Sequence, residues 1–198
     1  MVAGLVLAAG ESSRMGRDKA LLAYRGHTFL ETVLAALRQA DVTHIAVVLG
    51  HHAEEIQRGV DLSGTTVVVN QNYRRGQTSS LQAGIRALEG PELEALVLTL
   101  VDHPAISPDV VQRLVSAFRQ DGSPLVVPTY QGRRGHPVLI GRTLFEEFKS
   151  LESSEGANTV LRRYREGTQL VEVEDPGVLL DVDDPETYRQ LGGFNPAA

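Results

Sequence analysis

Short apolar runs alternate along the chain with stretches in which apolar residues recur every three or four positions. That alternation predicts strands buried on both faces, interleaved with one-sided helices. Val2 to Ala8 is the first run, and Ile45 to Leu49, Thr65 to Val69, Ala95 to Val101, Leu125 to Val127 and Gln169 to Val173 are the later predicted strands. Thr28 caps a predicted helix to about Ala40, in which Phe29, Val33, Leu34 and Leu37 form one apolar stripe. Glu54 to Gly59 reads as a short helix, and a longer amphipathic one runs through Leu81, Ile85 and Leu88 with Thr78 or Ser79 as its cap. Ser107 and Pro108 open another to about Gln120, with proline at the first helical position. Tyr130 to Val138 reads as a loop or hairpin, and Leu144 to Leu161 as two short helices broken around Ser153 to Gly156. Asp184 caps a last helix begun by Pro185 and Glu186. Strands alternating with helices throughout place the chain in the α/β class, with a mostly parallel, mixed central sheet.

Composition narrows this picture. At 198 residues and 42% hydrophobic the chain suits one well-buried domain, expected over residues 1–192 with 193–198 as a loose tail. A formal net charge of -6 disfavours a nucleic-acid surface, which needs a broad basic face. With no cysteine, disulfides, thiolate zinc sites and cysteine nucleophiles are excluded. No apolar run approaches the ~18 residues of a membrane span, and the first residues lack the pattern of a signal peptide, so the expected location is cytoplasmic, without membrane contact.

The candidate chemistry begins where the first strand stops. Ala8, Ala9 and Gly10 carry little bulk, so a ligand can lie against their backbone; Ser12 and Ser13 add hydroxyls, and Arg14, Arg17 and Lys19 add three cations. A loop leaving the carboxyl end of a central strand exposes amide hydrogens that attract phosphate oxygens, and arginine and lysine strengthen that attraction. A solvated basic turn is the competing reading. The run fits neither the P-loop pattern nor G-x-G-x-x-G. Asp102 ends the Ala95 to Val101 strand, at the edge where ligands of open α/β sheets collect, and a carboxylate there can hold Mg²⁺ or serve as a cap. His51 and His52 lie at the carboxyl edge of the Ile45 to Leu49 strand and read as surface residues without metal-ligand spacing, with a ligand contact as the alternative.

LAAGESSRMGRDKALL resembles the LAAG-x-S-x-R-M-G-x-x-K-x-L signature of nucleotidyltransferases, and within them the molybdenum cofactor cytidylyltransferase group. The resemblance implies a three-layer Rossmann-like nucleotidyltransferase fold. It implies that Leu7, Ala8, Ala9, Gly10, Ser12, Ser13, Arg14, Lys19 and Asp102 bind the nucleotide, with Arg14, Lys19 and Asp102 catalytic. The family's G-x-x-S-S-L run, bordering base and ribose, falls on Gly76, Ser79, Ser80 and Leu81. Asp102-His103-Pro104 is similar to G-D-Q-P, with Val101 and His103 as departures. Arg134, Gly135, His136 and Pro137 match an element near the acceptor. VLLDVDDPETY resembles the closing D-I-D-T-P-E-D-Y, where Asp183 fits a second metal ligand beside Asp102 and Asp181 is the alternative.

The implied reaction is Mg²⁺-dependent transfer of CMP from CTP to a molybdopterin-type phosphate, releasing pyrophosphate. The implied partners are these small molecules, with a molybdoenzyme or its cofactor-inserting chaperone as recipient. Guanylyl transfer to the same acceptor, cytidylyl transfer to a sugar or polyol phosphate, and a non-enzymatic nucleotide-binding chaperone are the alternatives. A dinucleotide-dependent oxidoreductase fits less well, because the glycine fingerprint and the acid about 20 residues beyond it are missing.

Overall fold

The computed structural model describes residues 1–152 and 155–192. The expected tail at 193–198, and Ser153 and Ser154 within the expected helix break, lie outside the described residues. In chain order the elements are β1 (Val2–Ala8), β2 (Ala23–Tyr24), β3 (His27–Thr28), α1 (Phe29–Gln39), β4 (Ile45–Leu49), α2 (Ala53–Gly59), β5 (Thr65–Val69), α3 (Gln77–Leu88), β6 (Ala95–Leu100), α4 (Pro108–Asp121), β7 (Leu125–Tyr130), β8 (Arg133–Arg134), β9 (Val138–Gly141), α5 (Phe145–Ser150), α6 (Asn158–Arg163), β10 (Thr168–Glu172) and α7 (Pro185–Leu191).

The large sheet has the order β10-β7-β9-β6-β1-β4-β5, with β8 paired to β7. β1 lies parallel between β4 and β6, with Val6 beside Val47 and Leu5 beside Leu98. All seven of its residues are buried, which is why its sequence carries no polar alternation. Val2, Val6 and Ala8 pack to one face with α1 and α4, while Ala3, Leu5 and Leu7 pack to the other with α3, α5 and α6. Three layers result, with an apolar cluster on either side of the sheet. β9 runs antiparallel to both β6 and β7, making the sheet mixed.

Local signals explain most boundaries. Thr28 accepts from the Glu31 amide while the Glu31 carboxylate accepts from the Thr28 amide, a capping box worth about 1 kcal/mol. Ser107 caps α4 ahead of Pro108, and Asp184 caps α7 ahead of Pro185. Neither Thr78 nor Ser79 caps α3. Its N-cap is Gly76, at φ 97°, which starts the helix one residue before Thr78 without a side-chain cap. The Thr78 hydroxyl donates instead to the Glu155 carbonyl at 2.8 Å, and Ser79 to the Gly76 carbonyl at 2.8 Å. β7 continues past the expected Val127 through Pro128; β9 pairs with β7 only at Leu125 and Val126, so the missing proline donor breaks no bond to it. The Tyr130 to Val138 segment is a hairpin, with Thr129 opposite Arg134.

Candidate functional site

Leu7 of β1 pairs with Leu100 of β6, so the loop after β1 and the turn after β6 leave from neighbouring points on one sheet edge. A third segment joins them: the Val182 amide donates to the Asp102 carbonyl at 2.8 Å, which sets Asp183 beside Asp102 although 81 positions separate them in sequence. The glycine-punctuated loop then turns back. Ser12 adopts a left-handed φ of 49°, and its hydroxyl accepts from the Lys19 amide at 3.1 Å.

Lys19 is thereby aimed at both acids. Its Nζ donates to Asp102 Oδ2 at 3.0 Å and to Asp183 Oδ1 at 2.6 Å, and Arg14 Nη2 donates to Asp183 Oδ2 at 2.8 Å. The lysine side chain is only 12% exposed, so this contact is far less screened than a surface ion pair. The Lys19 hydrogen bond, reinforced by Arg14, holds the Asp183 carboxyl below the ordinary carboxylate range. Asp102 Oδ1 is buried and accepts no hydrogen bond, leaving one strong acceptor oxygen unused beside a second carboxylate. Hard divalent cations are held by such oxygens, so the donor set fits Mg²⁺.

These groups border a cavity of about 310 Å³. Leu7, Ala8, Ala9, Gly10, Ser12 and Ser13 line it, as do Arg14, Lys19, Gly76, Ser80, Asp102 and Asp183. Ser79 does not; its hydroxyl is turned to backbone carbonyls of Asn72 and Gly76. Arg17 does not either, and borders a different cavity beyond the loop. Asp181, exposed, is absent from the lining. Tyr73, Gln77 and Ile56 also line it and were not legible as ligand-facing, because they come from α2, α3 and the turn before α3, whose patterning reads as scaffold; Asp18, from the β1 loop, lines it too.

Arg134, Gly135 and His136 border a separate cavity of about 480 Å³, together with Arg162 and Arg165; Pro137 does not line it. Gly135 is needed there: a Cβ would lie 2.3 Å from the Val178 carbonyl oxygen. The His136 amide donates to that same carbonyl at 2.8 Å, and the imidazole rests against His103 with ring centroids 4.6 Å apart. Burial pushes both imidazoles down, His136 to about 4. The hairpin therefore reaches the residue adjoining Asp102 and does so with a neutral ring.

The paired histidines lie at the surface as expected, His51 half-buried and His52 exposed, but they join a second cluster that their spacing did not suggest. Asp18, His51 and His52 each offer a ligand atom, all within 4.8 Å of one another, so the set could hold a divalent metal ion. Consecutive histidines lack the spacing of helical ligands, but here a turn between β4 and α2 brings them together.

Residues 4–169 match the MobA-like NTP transferase domain. The chain is 32% identical to the nicotine blue oxidoreductase of Paenarthrobacter nicotinovorans, covering 96% of each chain. It is 28% identical to the molybdenum cofactor cytidylyltransferase of Escherichia coli, covering 93% of this chain and 92% of that one. The structure is similar to Rv0371c of Mycobacterium tuberculosis, at TM-score 0.86, 32% identity and 98% of each chain; that protein is also solved in complex with manganese. The fold is the Rossmann-like one of nucleotidyltransferases. Among the described residues no helix is long and apolar enough to cross a membrane. The chain belongs to the MobA-like NTP transferase family and is a nucleotidyltransferase.

Proposed function

We propose that this nucleotidyltransferase transfers CMP from CTP to the phosphate of a molybdopterin-type acceptor, releasing pyrophosphate. The observation that carries the reading is the meeting of Asp102, Asp183 and Lys19 at one point of a cavity walled by the small-residue loop. Two acids and a lysine brought together from three distant segments are what polyphosphate transfer uses and what a structural ion pair does not require.

In this reading residues 1–192 act as one domain, in the cytoplasm. The triphosphate lies along Ala9 to Ser13, where backbone amides and the two hydroxyls receive its oxygens. Arg14 and Lys19 exchange their carboxylate contacts for phosphate oxygens once the nucleotide is bound. Gly76 and Ser80 border the base and ribose, with Ser79 acting only through the turn it stabilises. Asp102 and Asp183 would hold Mg²⁺, which would supply positive charge against the polyphosphate. An anionic oxygen of the acceptor phosphate attacks the α-phosphorus of CTP; that bond forms as the bond from the α-phosphorus to the bridging oxygen breaks. Both electrons leave with pyrophosphate, toward Arg14 and Lys19. The nucleophile is already ionised, so no general base is needed, and the protein contributes alignment and charge. Arg134, Gly135, His136 and Pro137 form the acceptor side. The neutral His136 ring there can accept or donate a hydrogen bond without adding a charge beside Asp102.

The test is product identification. The protein is incubated with Mg²⁺, each nucleoside triphosphate in turn, and molybdopterin or a sugar or polyol phosphate, and the products are weighed by mass spectrometry. The cytidine dinucleotide of the pterin is expected. A guanine dinucleotide would reassign the donor, a nucleotide sugar or polyol the acceptor. Redox turnover of nicotine blue with no pyrophosphate released would replace the reading with that of the oxidoreductase relative.

A further inference from the structure

Asp18 borders the nucleotide cavity on one side and on the other joins a donor set to which the proposed nucleotidyl transfer assigns no role. We propose that Asp18, His51 and His52, with Glu55 as a fourth donor, form a binding site for a divalent transition ion of the zinc type. This site is distinct in chemistry from the oxygen-only pair Asp102 and Asp183.

Four constraints converge on the cluster. The His51 amide donates to the Ala9 carbonyl at 3.2 Å, which fixes the first histidine to the end of β1. His52 then takes a left-handed backbone, φ 48° and ψ 34°, which folds its ring over that of His51 with centroids 3.7 Å apart. Asp18 enters from the loop with its side chain only 9% exposed, and its Oδ2 lies 2.8 Å from His52 Nδ1. Glu55, one turn along α2, brings Oε2 to 4.0 Å from the same nitrogen.

The orienting partner a ligating histidine needs is also present. His51 Nδ1 lies 3.3 Å from the Tyr73 hydroxyl, which occupies one ring nitrogen and leaves the other for an ion. A surface ion pair between Asp18 and His52 would account for those two residues alone. It would not account for the stacked His51 or for its anchoring by Tyr73. The cluster borders an open cavity of about 670 Å³, so an ion can enter and keep a position for water or another ligand.

Two imidazoles with one or two carboxylates suit Zn²⁺ or Co²⁺, whereas Mg²⁺ prefers oxygen donors and gives up its waters reluctantly. The two clusters therefore select different ions. Because Asp18 directly precedes Lys19, an ion bound here ties the phosphate loop to the start of α2.

The site is tested on the full chain in excess Mg²⁺ by titrating Co²⁺ and reading its visible absorption, with Zn²⁺ as competitor. One Co²⁺ per chain is expected, displaced by Zn²⁺ and retained in Asp102→Asn and Asp183→Asn. His51→Ala, His52→Ala and Asp18→Asn should each abolish the bands, and Tyr73→Phe should weaken binding about tenfold by releasing His51. Glu55→Gln, on an exposed helix face, provides a variant that leaves the fold intact and should weaken binding with an unchanged melting temperature. Bands absent from the parent protein, surviving in both histidine variants, or lost in Asp102→Asn would overturn the proposal. Because the readout is metal binding rather than turnover, that failure leaves the nucleotidyl-transfer reading standing.

Discussion

Asp102 and His103 are consecutive, yet they serve opposite sides of the cleft. Asp102 turns to Lys19, in a charged cluster of three chain segments; His103 is 6% exposed, its ring set against His136 of the hairpin, and both rings are held neutral by burial. One side gathers opposite charges at one point; the other sets two uncharged rings together beside a cavity bordered by Arg134, Arg162 and Arg165. A single tight turn beyond β6 separates the two environments. In the proposed reading, donor and acceptor recognition can therefore be adjusted independently, and variants on either side should fail in different ways.

The largest effect falls on the charged side. Asp102→Asn or Lys19→Ala should lower kcat about 10²–10³-fold. Steady-state pyrophosphate release measures it, and a loss of less than fivefold would break the contrast. On the neutral side the largest effect is on stability. Burial keeps His136 deprotonated down to about 4, whereas in the unfolded chain it takes a proton near its ordinary 6.5. Between these values the unfolded state binds more protons, so stability that is full above about pH 6.5 falls as pH drops toward 4. The decline from His136 is up to about 3 kcal/mol. Urea melts across that range should show it, and His136→Gln should flatten the profile.

Smaller effects sharpen the division. Arg134→Ala should raise KM for the acceptor about tenfold, the equivalent of about 1.4 kcal/mol, with KM for CTP unchanged. Equal rises in both constants would place Arg134 outside the acceptor side. Smallest of all, Arg74→Ala removes an exposed ion pair with Glu11 and should leave the thermal melt essentially unchanged.

How much of this was legible in the sequence follows the same division. The β1 loop is contiguous, so its small residues and cations could be read in one pass, and the apolar run ending at Asp102 marked the opposite wall. Asp183 was reached through the closing segment, whose place beside Asp102 depends on the Val182 hydrogen bond, a contact no local pattern encodes. Ser79 and Ser80 are indistinguishable in sequence. One helical step of about 100° sends Ser80 into the cavity and Ser79 back to its own turn. The two-residue strands β2 and β3 are too short to show a period. The insertion of β9 between β6 and β7 follows from long-range pairing that composition does not carry. The clustering of the histidine pair with Asp18 is not legible, because nothing in the sequence marks the left-handed turn at His52.

The central claim is that Asp102 and Asp183 share one divalent ion with the bound nucleotide. It is tested by electron paramagnetic resonance titration of Mn²⁺ in a His51→Ala, His52→Ala background, with and without a non-hydrolysable CTP analogue. One Mn²⁺ per chain is expected, bound more tightly when the analogue is present and lost in both Asp102→Asn and Asp183→Asn. Binding that persists in either aspartate variant, or that ignores the nucleotide, would contradict the account.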